Sequence, residues 1–502
     1  MCPRLSANYV SCCPPNMAQV SVWAGNLHSI ERERKSEAKT NEGKASDIVA
    51  RNQFEADYDR IVGSSSVRRL QDKAQVFPLQ ENDNTRTRLT HSIEVSALAR
   101  SLGKAVGKQL EKRSIFTPNQ VDELASLLQT AGLIHDLGNP PFGHYGEEVI
   151  RQWFKEWFES EKILKSGIVM KDQEKNDFIY FDGNVQNLRI VTRLQTLNDI
   201  HGANFTYATL ATIIKYPWRS DRRPDGKKKF GYFKSEEELI RKIQEATGLE
   251  DGIRHPATYL LEAADDIIYI CDDIEDGAKK GYIDWETEYI NLKKNVRKAH
   301  GCSERYDGLF DAIEEKNKKI DEEMGQSEKE VAKVRNFRNF TQSYLFQEVV
   351  REFVSNYEDI MAGQYKAGEL LQANDVLVDG LKKITRDNCF SCHEVLALEL
   401  VGDKVIRTLL NIFVEILINH SGEELLDTRT YAGKVFKLIS ANFIYIAENE
   451  HEDIRKLETE AEKLDALKVY DKLHLAVDFV SGMTDSYAVN LYKELTGIRL
   501  PK

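Results

Sequence analysis

Cysteine and proline are scarce, with seven Cys and 11 Pro in 502 residues. An odd number of widely scattered cysteines does not build a disulfide framework and points to a reducing cytoplasm. Cys2, Cys12 and Cys13 lie in an opening stretch that has no basic start followed by an apolar run, so no secretory leader is expected. No apolar run approaches the roughly 18 residues needed to span a bilayer, so no membrane span is expected. Positive charge is also short: 69 Lys and Arg face 81 Asp and Glu, a formal net charge of -12. An anionic ligand therefore needs a local basic site. The GxxxxGK[ST] string that cradles β- and γ-phosphates is missing as well.

The chain is otherwise rich in helix-forming pattern. From Ala56 onward apolar residues recur at helical spacing, as in Val95, Leu98 and Leu102, or Leu124, Leu127, Leu128 and Leu133, or Leu188, Val191, Leu194 and Leu197. Alternating strand patterns are rare, and the few prolines mark breaks at Pro78, Pro118, Pro140-Pro141, Pro217, Pro224 and Pro256. These features predict an all-α protein. Residues 1–50 are expected to form a flexible N-terminal segment, since they are poor in periodic apolar positions. The stretch from Arg219 to Lys229 holds Arg219, Arg222, Arg223, Lys227, Lys228 and Lys229 around a Pro-Asp-Gly turn. It reads as an exposed basic loop, either simply solvated or a funnel for a polyanion. The runs Glu314 to Lys333 and Glu448 to Lys468 read as solvated helix faces. Cys389-Phe390-Ser391-Cys392-His393 spells a haem-attachment pattern, but that chemistry goes with export, and no second Cys pair closes a zinc site. Helical cysteines without a cofactor are expected there.

Residues of metal-ligating type gather in three separated helical segments. His91 stands at the edge of the stripe continued by Val95 and Leu98. The run Ala131 to Ile134 leads into adjacent His135 and Asp136, after which Gly138, Pro140 and Pro141 stop the helix. Neighbouring helical side chains diverge by about 100°, but at a helix end both can lean toward one ion. In the third segment Asp265, Tyr269 and Asp273 share one face at a period of four, while Leu261, Ile268 and Cys271 serve the core. Two carboxylates buried on one face need a cation or hydrogen-bonding ligand, unless both face water.

The order His, His-Asp, Asp resembles that of HD-domain phosphohydrolases. The longer string His135-Asp136-Leu137-Gly138-Asn139-Pro140-Pro141-Phe142-Gly143-His144, with Glu147, is similar to the deoxyguanosine triphosphate triphosphohydrolase family. So are Arg86 to His91, Phe181 to Gln186, Lys215-Tyr216 and Ser481 to Asp485, and together these extend the resemblance from about Asp59 to Leu495. It implies an HD-domain helical core over 51–300 and a helical C-terminal region, 301–502, that completes the site and forms oligomer interfaces.

What the resemblance implies for individual positions is specific. His91, His135, Asp136 and Asp265 would bind one divalent ion, Mg or Mn first, with Fe or Co as alternatives. His144 and Glu147 would be the acid-base pair, activating water or protonating the departing 5′ oxygen, with Asp182 as a further acid beside them. Arg88, one turn before His91, can reach a phosphate or a base edge, and Lys215 and Tyr216 would contact the triphosphate. Tyr269 would stack on the sugar and crowd a 2′-hydroxyl, Asp273 would accept from the 3′-hydroxyl, and Gln75 and Val76 would read the base. The implied activity is hydrolysis of a dNTP, dGTP above all, to deoxynucleoside and inorganic triphosphate. The implied assembly is a homo-oligomer, hexamer or tetramer, with single-stranded DNA as a candidate effector. The rivals are an HD phosphohydrolase acting on another nucleotide, and a catalytically silent nucleotide- or DNA-binding regulator.

Overall fold

The computed structural model describes residues 28–33, 51–75, 86–165, 167–195, 200–299, 305–323, 325, 329–371 and 375–500. Val76 and the cysteines at 2, 12 and 13 lie outside the described residues. Among the described residues the architecture is helical, and the β-type pairing consists of two isolated bridges, Arg32 with Thr206 and Ala74 with Thr87. No helix there is long and apolar enough to cross a membrane.

Local chemistry explains where the framing helices begin and end. Helix α1 (Gln53–Val62) is capped by Asn52, whose side chain accepts from the Phe54 and Glu55 amides. Helix α2 (Arg88–Lys112) starts at a capping box made by Thr87 and Thr90. Helix α3 (Pro118–Ile134) starts at Thr117 with Pro118 in its first turn, where the missing N–H costs nothing. The stripe Val95, Ala99, Leu102, Val106 and Leu110 is buried, and Gly103 and Gly107 lie against Leu124 to Leu128 and against Val121. A Cβ at Gly103 would collide with Leu128 and one at Gly107 would crowd Val121, so the bare glycines let α2 and α3 approach closely.

Helix α4 (Gly143–Glu159) follows a left-handed Phe142, with φ of 63°. Short helices α5 (Gly183–Arg189) and α6 (Tyr207–Thr212) come next; α5 runs into a π-helical turn at Ile190–Leu194, covering the stripe read from Leu188, Val191 and Leu194. Helix α7 (Pro256–Lys279) has Leu261, Ile268 and Cys271 in the core and packs on α2 and α3. The later helices α8 (Val376–Asn388), α9 (His393–Asn419), α10 (Val469–Ser481) and α11 (Asp485–Leu495) close around it: α8 packs on α7, and α9 on α4, α10 and α11. Cys389 ends α8 and Cys392 precedes α9, so the Cys-Phe-Ser-Cys string forms the turn between two helices and not a helical segment as expected from its sequence. The Asp485 carboxylate accepts the N–H of Phe142 at 2.9 Å and of Ala74 at 3.0 Å, pinning the turn after the His-Asp pair.

Six residues of the segment expected to be flexible are docked. Glu31 O accepts the Tyr207 N–H at 2.8 Å, and Arg32 reaches the buried carboxylate of Asp57, which also accepts from Thr206 and Thr209 at the start of α6. His28 packs edge-on against Phe54 and Phe116, and burial pushes its imidazole down to about 4. A folded value below the unfolded 6.5 gives stability that is complete above pH 6.5 and lost as pH falls through 4. At 1.36 kcal/mol per unit the whole effect is at most about 3 kcal/mol. Thermal unfolding followed from pH 7 down to pH 4 should show this loss, and His28→Phe should flatten it; identical slopes in both proteins would assign the loss elsewhere.

Candidate active site and metal centre

The ends of α2, α3 and the middle of α7 meet at the carboxylate of Asp265. Its Oδ1 lies 3.0 Å from His91 Nε2 and 3.5 Å from His135 Nε2, and the two imidazole centroids are 5.4 Å apart. One donor atom from each of His91, His135 and Asp265 lies within 4.8 Å of the others. His135 donates from Nδ1 to the Gly132 carbonyl at 2.8 Å, which leaves the Nε2 lone pair facing the cluster. That Nε2 is buried and makes no hydrogen bond. Burial disfavours the charged ring, yet Asp136 and Asp265 pull the His135 pKa up to about 9. Burial likewise opposes charge on Asp265, but His135 and His91 hold its carboxyl well below the usual range. Anionic oxygens aimed at an orphaned imidazole nitrogen fit a divalent cation, whose charge would take the place of the proton.

Asp136 stands at the edge of this group. Its Oδ1 is 3.6 Å from His135 Nε2 and accepts from Asn139 Nδ2 at 2.6 Å, while Oδ2 accepts from the buried Arg88 at 2.6 Å. The structure therefore gathers three of the four expected ligands tightly and ties the fourth to Arg88. Gly138 permits the tight turn: a Cβ there would sit 2.0 Å from Gly183 O and 2.2 Å from Asn187 N. That contact sets α5, and with it Asp182, directly against the His-Asp loop.

His144 is in the first turn of α4 with an exposed side chain, and desolvation by the groups around it, then the Arg88 charge, lowers its pKa. Glu147 stands one helical turn after His144, a spacing that lets a carboxylate hold an imidazole, but it is 3% exposed and its hydrogen bonding goes elsewhere. Its Oε1 instead accepts the Gly183 N–H at 2.8 Å, and Arg151 approaches Oε2 at 3.5 Å. The physical reason is the close packing of α5, whose first amide needs an acceptor that Glu147 supplies. Burial, then the Asp182 charge, raises Glu147 to about 7. Asp182 caps α5 through Asn184 and forms an ion pair with Lys229 at 3.1 Å.

Lys229 carries no role of its own in the sequence pattern. It ends the basic loop and turns inward, 5.8 Å from the centroid of Tyr216, whereas the loop tip from Pro224 to Lys228 is exposed. The other phosphate candidates cluster with it: Lys215 pairs with Glu262 at 3.2 Å and lies 5.9 Å from the same ring. Tyr269 is half-buried with Lys382 5.7 Å from its ring. Asp273 is 6% exposed, and burial followed by Asp276 pushes it up to about 8, so it does not simply face water. Gln75 keeps a buried Oε1 with no hydrogen-bond partner.

Comparison with known proteins agrees with this arrangement. An HD-domain family profile matches residues 88–181, which contain His91, His135, Asp136, His144 and Glu147, while Asp265 lies beyond it. A deoxyguanosinetriphosphate triphosphohydrolase-like protein of Listeria innocua is 36% identical over 93% of this chain and 98% of its own. One of Synechocystis is 34% identical over 90% and 95%. The deoxyguanosinetriphosphate triphosphohydrolase of Salmonella typhimurium is 31% identical over 89% and 94%. An HD domain implies a divalent ion, His91, His135 and Asp265 could bind one, and near-complete coverage of these relatives places the chain in the deoxyguanosinetriphosphate triphosphohydrolase family of HD-domain phosphohydrolases.

Proposed function

We propose that the protein hydrolyses a deoxynucleoside triphosphate, dGTP first among them, at the α-phosphorus to give the deoxynucleoside and inorganic triphosphate. The observation that carries this reading is the juxtaposition of a His91–His135–Asp265 metal group with a separate cluster of cations around Tyr216. The first suits the phosphorus under attack, and the second suits the rest of the polyphosphate. A divalent ion bound by His91, His135, Asp136 and Asp265, with Mg or Mn favoured over Co or Fe, would supply Lewis-acid neutralisation of the α-phosphate charge.

The chain's own groups do the rest. Arg88, anchored on Asp136, presents charge beside the α-phosphate. His144, whose neutral form is favoured by desolvation from its surroundings and by the Arg88 charge, accepts the proton of the attacking water as the water O–P bond forms and the P–O5′ bond breaks, and that proton passes on to O5′ so that the deoxynucleoside leaves with its 5′-hydroxyl. Glu147 and Asp182 fix the first turns of α4 and α5 around it. Lys215, Lys229 and Tyr216 hold the phosphates beyond the α-phosphorus, so that charge on the triphosphate is matched as the 5′ oxygen departs. Tyr269 and Asp273 lie along α7 one and two turns beyond Asp265, where Tyr269 would stack on the sugar and crowd a 2′-hydroxyl and Asp273 would accept from the 3′-hydroxyl. Exposed Arg222, Lys227 and Lys228 support a single-stranded DNA effector, the unpaired Cys271, Cys389 and Cys392 suit a reducing cytoplasm, and a homo-oligomer belongs to the same reading.

The test is direct. Purified protein incubated with each dNTP and with GTP, in Mg, Mn, Co or Fe, is expected to release inorganic triphosphate from dGTP, read by ion chromatography. Pyrophosphate or orthophosphate as the product would favour another HD phosphohydrolase activity. Every nucleotide left intact in every metal would favour a silent regulator.

A further inference from the structure

The cations around Tyr216 include one that neither the sequence pattern nor the proposed chemistry uses. Arg254 lies two residues before α7, with its guanidinium carbon 6.0 Å from the Tyr216 centroid and 5.6 Å from that of Tyr259. Lys215, Lys229 and Arg254 thus approach one aromatic ring at 5.9, 5.8 and 6.0 Å. Like charges gathered this closely repel unless anions separate them. Two carboxylates do so: Asp182 pairs with Lys229, and Glu262 is shared by Lys215 at 3.2 Å and Arg254 at 2.9 Å. Within this set three cations share two direct carboxylate partners, and Glu262 serves two of them.

The hydrogen bonding of Arg254 is one-sided. Nη1 donates both to Glu262 Oε2 and to the Gly368 carbonyl, at 2.9 and 3.1 Å. Among the described residues Nε and Nη2 have no hydrogen-bond partner, so the edge that a guanidinium offers to a phosphate in bidentate fashion is unused. Glu262 is 8% exposed, which makes it a fixed anchor and not a floating surface charge.

Position along α7 orders these groups. Glu262 precedes Asp265 by three residues, a rise of about 4.5 Å toward the helix N-terminus, and Arg254 comes before that terminus. Lys215 is close enough to Asp265 and Asp266 for both to act on its charge, whereas the contacts of Arg254 are with Glu262, the Gly368 carbonyl and the two tyrosines. The line from the metal group outward is therefore Asp265, Lys215, Glu262, Arg254.

We propose that Arg254 binds the terminal phosphate of the substrate, at the end of the polyphosphate farthest from the metal group, and that Glu262 presents Arg254 and Lys215 together as one clamp. The inference rests on the triphosphate reading above and deepens it by giving the outermost phosphate its own contact. An enzyme that held only the α- and β-phosphates would accept a deoxynucleoside diphosphate almost as well. A guanidinium placed for the γ-phosphate makes the third phosphate a requirement for tight binding.

Binding of inorganic tripolyphosphate, measured by calorimetry with full-length protein, tests this without needing turnover. Arg254→Gln should weaken tripolyphosphate about 10- to 100-fold, the loss expected for charge-assisted hydrogen bonds. Pyrophosphate and deoxyguanosine should bind as they do to the wild type, and Arg254→Lys should restore part of the tripolyphosphate affinity. With dGTP, KM should rise by a similar factor while kcat stays within about threefold. Tripolyphosphate affinity unchanged in Arg254→Gln would overturn the assignment, as would equal losses for tripolyphosphate and deoxyguanosine, which mark a collapsed site. If Arg254→Gln does not fold, Arg254→Lys and Glu262→Gln carry the same comparison. A wild type that binds tripolyphosphate yet leaves every dNTP intact sinks the proposed reaction and leaves this assignment to be decided by the binding data.

Discussion

Asp265→Asn is expected to strip the protein of its divalent ion and to cut dGTP hydrolysis about 1,000-fold or more. The exchange keeps the shape of the side chain and removes its charge. Asp265 Oδ1 is the atom to which both imidazoles converge, at 3.0 Å from His91 and 3.5 Å from His135. Without that charge the metal group retains two neutral donors and an Asp136 already committed to Arg88 and Asn139. A Lewis acid at a phosphoryl centre supplies several kcal/mol of transition-state stabilisation, and each 1.36 kcal/mol is a factor of ten in rate. Metal content by elemental analysis and turnover by product chromatography should fall together while the unfolding temperature stays near that of the metal-free wild type. Full metal occupancy in the variant would remove Asp265 from the ligand set even if the rate were low.

Sequence pattern reveals this centre because each of its parts is announced locally. Thr87 and Thr90 mark the start of α2, so the immediate neighbours of His91 suffice to place it one turn into a helix. Gly138, Pro140 and Pro141 mark the end of the helical run before them, so His135 and Asp136 are read at a helix end. The four-residue period of Asp265, Tyr269 and Asp273 survives unchanged in α7. In each case the information lies within a few residues of the group it places, and the all-helical fold follows from the same short-range periodicity.

What the sequence conceals depends on partners far along the chain. Lys229 is one of six cations in its loop, and it turns inward because Asp182, 47 positions away, lies buried beneath it. Nothing in the loop's composition distinguishes it from Lys227 or Lys228. Glu147 stands three residues after His144, which suggests a carboxylate-imidazole bond. The N–H of Gly183 takes that carboxylate because the bare Gly138 lets α5 close on the turn. Asp485 holds Phe142 and Ala74 across more than 300 residues, and Arg32 reaches Asp57 from a segment with no periodicity of its own. The Cys389 to Cys392 string is expected to be helical yet forms the turn between α8 and α9. These are consequences of closure, and only the packed molecule supplies them.

His144→Ala should lower kcat for dGTP by about 100-fold or more while leaving substrate affinity within a few-fold, the pattern of a group that acts only in the transition state. The pH profile separates this role from a structural one. Desolvation and the Arg88 charge lower the pKa of the exposed His144 ring, which favours the neutral form that accepts a proton. A base of this kind gives a rate that climbs as pH rises through its pKa and levels off above it, and the alanine variant should lose that rising limb. An acid would give the opposite slope, with the rate falling as pH rises through the same value. Glu147 adds a second inflection near 7, where burial and Asp182 have raised it, because its ionisation changes the field at His144 and its grip on the Gly183 amide. Glu147→Gln should therefore keep the limb that belongs to His144 and remove the inflection near 7. A profile of unchanged shape in His144→Ala, at whatever rate, would assign the proton transfer to another group.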